Sequence, residues 1–259
     1  MRGLTHLSLF TGIGGLDLAA EWAGFRTVGQ CEYADFPRKV LEKHWPNVQR
    51  WRDIRDVTRI SADRAGIGEI TVISGGFPCQ PHSLAGKRLA SGDERDLWGE
   101  FARVIHEVGP RWVVAENVPG LLSSEHGRFF GRVLGDLAGM GYDASWGVLS
   151  AFQAGAPHLR KRICIVAHAM RFGRPCDRFL QAPEVHEVCH GETGEINTSL
   201  LLNDAFRVLT CGDDTDLRDS DGIPREVDEL RALGNAVVPQ VFYPVFAAIS
   251  AIESSWEAR

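Results

Sequence analysis

Leu7-Ser8-Leu9-Phe10-Thr11-Gly12-Ile13-Gly14-Gly15 is the stretch that decides the fold. An apolar run of strand character enters a turn carrying three glycines, and the spacing of Leu16 to Trp22 predicts the helix that follows. A strand passing through a glycine turn into a helix is the opening unit of an α/β fold. Gly12, Gly14 and Gly15 permit a tight passage and close backbone approach. Their spacing departs from G-x-G-x-x-G, so the turn alone does not define a dinucleotide site.

The same alternation continues outward. Thr27–Cys31, Ile70–Ser74, Arg111–Ala115, Trp146–Leu149 and Ile163–Ala167 read as further strands. Phe36–His44, Leu97–Val108 and Phe129–Leu137 read as helices between them. The pattern predicts a doubly wound, largely parallel sheet, whose ligands sit outside the C-terminal strand ends.

Bulk properties narrow the class. The chain has 259 residues, 44% hydrophobic and 24% charged, ordinary for a globular protein. The six cysteines form no CxxC pair, which predicts reduced thiols and a cytoplasmic location. No signal-peptide pattern opens the chain, and the apolar tract Val237–Ile252 is broken by Pro239, Gln240 and Pro244, so no membrane span is expected. Net charge is −6. Residues 169–230 carry 14 acidic against 6 basic residues, so the acidity is concentrated there. That segment, with weak periodicity, reads as a small insert or as an acidic disordered excursion. The expected organisation is one unit of residues 1–168 plus 231–259, interrupted by 169–230. Cys176, His186, Cys189, His190 and Cys211 match no standard zinc spacing, and no metal is expected.

Chemistry collects at the predicted strand ends. Gly75-Gly76-Phe77-Pro78-Cys79-Gln80-Pro81 places a cysteine in a rigid turn, where a thiolate could act as nucleophile. Its alternative is a small buried hydrophobe. Glu116 ends the strand Trp112–Ala115; burial there raises a carboxyl pKa and suits an acid. Glu32, after the second strand, is placed for ribose hydroxyls. Asp53-Ile54 could hold an adenine, or be simply a surface acid and a core aliphatic. If His158-Leu159-Arg160-Lys161-Arg162 enters a strand, residues 158, 160 and 162 share one side.

In this order the residues resemble the motifs of the DNA cytosine C5-methyltransferases. The resemblance covers about residues 5–168 and 230–252. It implies a Rossmann-like S-adenosylmethionine-dependent methyltransferase fold with a small inserted target-recognition region. It implies S-adenosylmethionine held by Phe10, Thr11, Gly12, Ile13, Gly14, Gly15, Glu32, Tyr33, Asp53, Ile54, Pro78, Leu97, Asn235 and Ala236. Pro78-Cys79-Gln80 matches the catalytic motif, Glu116-Asn117-Val118 the E-N-V motif, and Arg160 and Arg162 the two arginines of Q-x-R-x-R. Cys79, Glu116, Arg160 and Arg162 are the implied catalytic set. Gln80, Ser83, Lys87, Arg88 and Asn117 are the implied DNA contacts, with Ser83–Gly99 closing over a flipped base. His158 replaces the family's usual glutamine. The implied substrate is duplex DNA, with room for a cognate restriction endonuclease as partner and a monomeric chain. A transfer-RNA enzyme ranks lower, since no Cys-Phe-Thr tripeptide occurs. An inactive binding protein is argued against by the intact Cys79, Glu116 and Arg162.

Overall fold

The structure, a computed structural model, describes residues 3–78, 97–155, 159–172 and 236–257. Cys79, Gln80, Ser83, Lys87, Arg88, His158, Asn235 and residues 173–235 lie outside them.

Seven strands form one sheet: β1 (Thr5–Leu9), β2 (Arg26–Cys31), β3 (Gln49–Trp51), β4 (Val72–Gly76), β5 (Trp112–Asn117), β6 (Tyr142–Leu149) and β7 (Arg162–Ala169). The order is β3-β2-β1-β4-β5-β7-β6. Pairs from β3 through β5 are parallel, while β7 runs antiparallel to both β5 and β6. The N-terminal end of β7 therefore lies at the edge where the parallel strands end. This brings Arg162 beside the ends of β1, β2, β4 and β5.

Six α-helices are described: α1 (Gly15–Trp22), α2 (Asp35–His44), α3 (Arg59–Arg64), α4 (Trp98–Val108), α5 (Arg128–Gly139) and α6 (Pro239–Glu257). Strand side chains alternate between two apolar layers. Leu7, Leu9, Ile73, Val113 and Ile165 pack with Phe101, Val104 and Ile105 of α4 and Val133 and Leu137 of α5. Val72, Trp112, Val114 and Val166 face the other way, onto Leu16 and Ala20 of α1 and Phe242, Val245, Phe246 and Ile249 of α6. The prolines expected to interrupt the last apolar tract do not. Pro239 opens α6, and the helix continues through Pro244. No helix of the described residues is long and apolar enough to cross a membrane.

Candidate active site

One cavity of about 910 Å³ opens at the C-terminal edge of the parallel strands. That volume lies within the range of small-molecule and cofactor sites. Phe10, Thr11, Gly12, Glu32, Tyr33, Asp53, Ile54, Pro78, Leu97 and Ala236 from the expected cofactor set line it, with Glu116, Asn117 and Arg162. Ile13, Gly14, Gly15 and Arg160 do not.

The glycine turn explains that division. Gly12 has φ +58°, and a Cβ there would meet nothing within 4 Å. Its missing side chain leaves space on the cavity side. Gly14 and Gly15 are also held by close packing. A Cβ on Gly14 would lie 2.5 Å from the Trp45 ring, and one on Gly15 would lie 2.3 Å from the Val237 carbonyl oxygen. Both positions exclude a Cβ because Trp45, at the end of α2, and Val237, before α6, press on the turn.

Glu32 fixes the adjoining wall. Its carboxylate accepts the amides of Gly12 and Ala34, each at 2.8 Å, one on each oxygen. Each oxygen keeps a lone pair for a ligand hydroxyl. Asp53 accepts the Arg55 amide at 2.9 Å and Ile54 is buried, so this acid also organises its own turn. At the mouth, Tyr33 is 68% exposed. The Arg52 guanidinium lies 5.5 Å from the centre of its ring and pairs with Asp35 at 2.9 Å. The polar cradle at Gly12 and Glu32, with apolar walls from Phe10, Leu16 and Ile54, fits S-adenosylmethionine: hydroxyl acceptors on one side, faces for a flat ring on the other.

The remaining wall is ionic. Nε of Arg162, at the start of β7, lies 2.8 Å from Oε1 of Glu116, at the end of β5. Burial pushes the Glu116 carboxyl up to about 7, against the lowering pull of Arg162 and Arg160. A buried acid near half-protonation at neutral pH can donate a proton into the cavity.

Arg160 precedes β7 with φ +32°, so strand alternation does not place it beside Arg162. Its guanidinium donates to the carbonyl of Ala236, a cavity-lining residue, and its charge lowers the Glu116 pKa. Asn117 borders the cavity, yet its amide donates to the Phe77 carbonyl at 2.9 Å and its Oδ1 accepts the Val118 amide at 2.8 Å. Asn117 thereby ties the end of β5 to the chain at Phe77. The sequence reading did not single out Leu16, Cys31, Phe36 and Val237, which also line the cavity. Each lies next to or within an element already assigned to the site, and that adjacency was the available signal.

Sheet order, with antiparallel β7 beside β5, is that of a Rossmann-like methyltransferase fold. The methyltransferase Dnmt2 of S. pombe shares the fold, with a TM-score of 0.54 at 23% identity over 75% of this chain and 58% of that one. The family model described as C-5 cytosine-specific DNA methylase matches residues 4–187, and the chain belongs to that family. Among relatives, the Type II methyltransferase M.NgoMIV of Neisseria gonorrhoeae is 34% identical over 76% of this chain and 61% of its own length. The Type II methyltransferase M.Eco47II of Escherichia coli is 37% identical over 63% of this chain and 39% of its own. The chain spans about half the length of the curated relatives it matches.

Proposed function

We propose that this chain methylates C5 of cytosine in duplex DNA, using S-adenosylmethionine and a transient covalent bond to Cys79. The observation that carries this reading is the buried Glu116–Arg162 pair facing the Gly12–Glu32 cradle across one cavity, beside the turn that leads into Cys79.

S-adenosylmethionine, when bound, supplies an electrophilic methyl group. Glu32 would hold its ribose hydroxyls, Gly12 would admit it against the backbone, and Tyr33, Ile54 and Phe10 would flank its adenine. The chain's own residues prepare the base. Cytosine C5 is a poor nucleophile, and addition of the Cys79 thiolate to C6 makes the ring enamine-like. Glu116 in its acid form donates to N3 as charge develops there, and Arg162 binds O2. After methylation, water or a nearby base takes the C5 proton, the C5–C6 double bond re-forms and the Cys79 thiolate leaves. Cytosine in a duplex must first be flipped out of the stack, at a cost of about a few kcal/mol. We assign Gln80, Ser83, Lys87 and Arg88 to DNA contact on the family resemblance, and a cytoplasmic monomer, with or without a cognate restriction endonuclease, is the form proposed.

The test is transfer of labelled methyl from S-adenosylmethionine to duplex DNA, beside transfer RNA, with Cys79→Ser as control. Label in DNA at C5 of cytosine that disappears with Cys79→Ser supports the proposal. Label in transfer RNA alone, or none with either substrate, overturns it.

A further inference from the structure

Asp17, on the first turn of α1, is fully buried and points into the sheet rather than the cavity. Its Oδ2 accepts the Ser8 hydroxyl at 2.9 Å and its Oδ1 accepts the Gln30 amide at 2.8 Å. Ser8 and Gln30 are register partners on β1 and β2. Ser8 lies two residues before Phe10, and Gln30 two residues before Glu32. One carboxylate thus ties together the two strands whose ends carry the cradle.

The connection then returns to the turn. Gln30 Oε1 accepts Arg50 Nε at 3.0 Å, and Arg50 donates to the carbonyls of Leu41, at 3.0 Å, and Trp45. Trp45 presses on Gly14 and donates its indole N–H to Glu21 of α1 at 2.6 Å. The N-cap of α1, Gly14, makes no side-chain capping bond. Among the described bonds, Asp17 is what anchors the first turn of α1 to the strands.

We propose that Asp17 is a positioning residue for the cofactor, setting the separation between Gly12 and Glu32 by cross-linking β1, β2 and α1. The proposal rests on the cofactor reading above. A stability role accounts poorly for this group. Burial pushes Asp17 up to about 6, with no cation in hydrogen-bond contact. An acid whose folded pKa is raised stabilises the fold fully only below its ordinary pKa, and that contribution is lost as pH rises through the folded value. At pH 8 the buried charge is a cost that a neutral isostere lacks.

The experiment compares full-length wild type, Asp17→Asn and Ser8→Ala at pH 8. Calorimetry measures S-adenosylhomocysteine affinity, steady-state rates give KM for S-adenosylmethionine and kcat on DNA, and melting gives the thermal midpoint. For Asp17→Asn we expect affinity about tenfold weaker, on the scale of one hydrogen bond. KM rises in parallel, kcat at saturating cofactor is retained, and the midpoint is equal to wild type or higher. Ser8→Ala, which removes one arm and keeps the carboxylate, shifts affinity the same way by less. Wild-type affinity in Asp17→Asn, or a fall in kcat at unchanged KM, overturns the proposal. So does a lowered midpoint, which would make the carboxylate a structural prop. Failure of wild type itself to bind S-adenosylhomocysteine would instead remove the cofactor reading, and this role with it.

Discussion

Gly76 and Glu116 are register partners on β4 and β5, and a Cβ on Gly76 would lie 2.7 Å from Oε2 of Glu116. The colliding atom is the far end of a side chain, but that end is buried and paired with Arg162 at 2.8 Å. Gly76→Ala therefore acts on the site more than on the fold. Displacing the acid by less than 1 Å is expected to lower kcat by about tenfold to a hundredfold. Stability should change by less than about 1 kcal/mol. Single-turnover methyl transfer and urea denaturation of the same variant separate the two. A large loss of stability would show that Glu116 cannot yield.

The acid role proposed for Glu116 carries a pH dependence. Burial raises its carboxyl to about 7, so the donating form predominates below that pH and is lost above it. Methyl transfer at saturating substrates should decline as pH rises through about 7. Glu116→Gln keeps the shape without a transferable proton and should cost about 10²–10³ in kcat, with a flat profile. Arg162→Ala removes the cation that pulls the Glu116 pKa down. Its profile should therefore fall off at higher pH, even as the absolute rate drops. A Glu116→Gln profile that keeps the wild-type decline through pH 7 would rule out Glu116 as the acid.

Much of this arrangement was legible in the chain. β1, β4 and β5 announce themselves as short apolar runs that lead into Gly or Glu, and β2 as a short segment of strand character before Glu32. The cavity residues follow because they are the first residues past those runs. What escaped had other causes. β3 has only three residues, Gln49–Trp51, too few for any periodicity. The antiparallel course of β7 is a property of the whole sheet and has no local signature. The packing of Gly14 and Gly15 has no local signal, because their neighbours Trp45 and Val237 lie roughly 30 and 220 residues away in sequence. Arg160 looked like a strand residue, but β7 begins only at Arg162. The strand itself runs to Ala169, followed by a short turn to Phe172.

The glycines of the turn should therefore separate in experiment. Gly12→Ala places a methyl group in open cavity space at φ +58° and costs about 1 kcal/mol of stability for the left-handed backbone. It should leave the protein folded while weakening S-adenosylhomocysteine binding. Gly15→Ala puts its Cβ against the backbone oxygen of Val237, which no rotamer can relieve. It should cost about 2–4 kcal/mol by pushing the start of α6 off the turn. Chemical denaturation with and without S-adenosylhomocysteine measures both effects. Equal losses of stability would contradict the division of labour within the turn.

At the opposite edge of the sheet, Glu253 of α6 fastens that helix to the strands. Its carboxylate accepts the indole N–H of Trp112 and an N–H of Arg111, each at 2.8 Å, while another Arg111 nitrogen reaches Glu69 at 2.9 Å. Burial raises the pKa of Glu253, and its two donors lower it. Glu253→Ala leaves the buried indole N–H without an acceptor and opens space beside Trp112. The expected loss is about 2–4 kcal/mol. Glu253→Gln keeps an acceptor for the indole and should lose about half as much. Arg111 is partly exposed, so its share is screened, and added salt should change the difference little. Trp112 begins β5 and Glu116 lies near its other end, so the methyl-transfer rate below the new melting temperature should match wild type. A fall in rate without a fall in stability would mean that strain at α6 reaches the cavity through Val237.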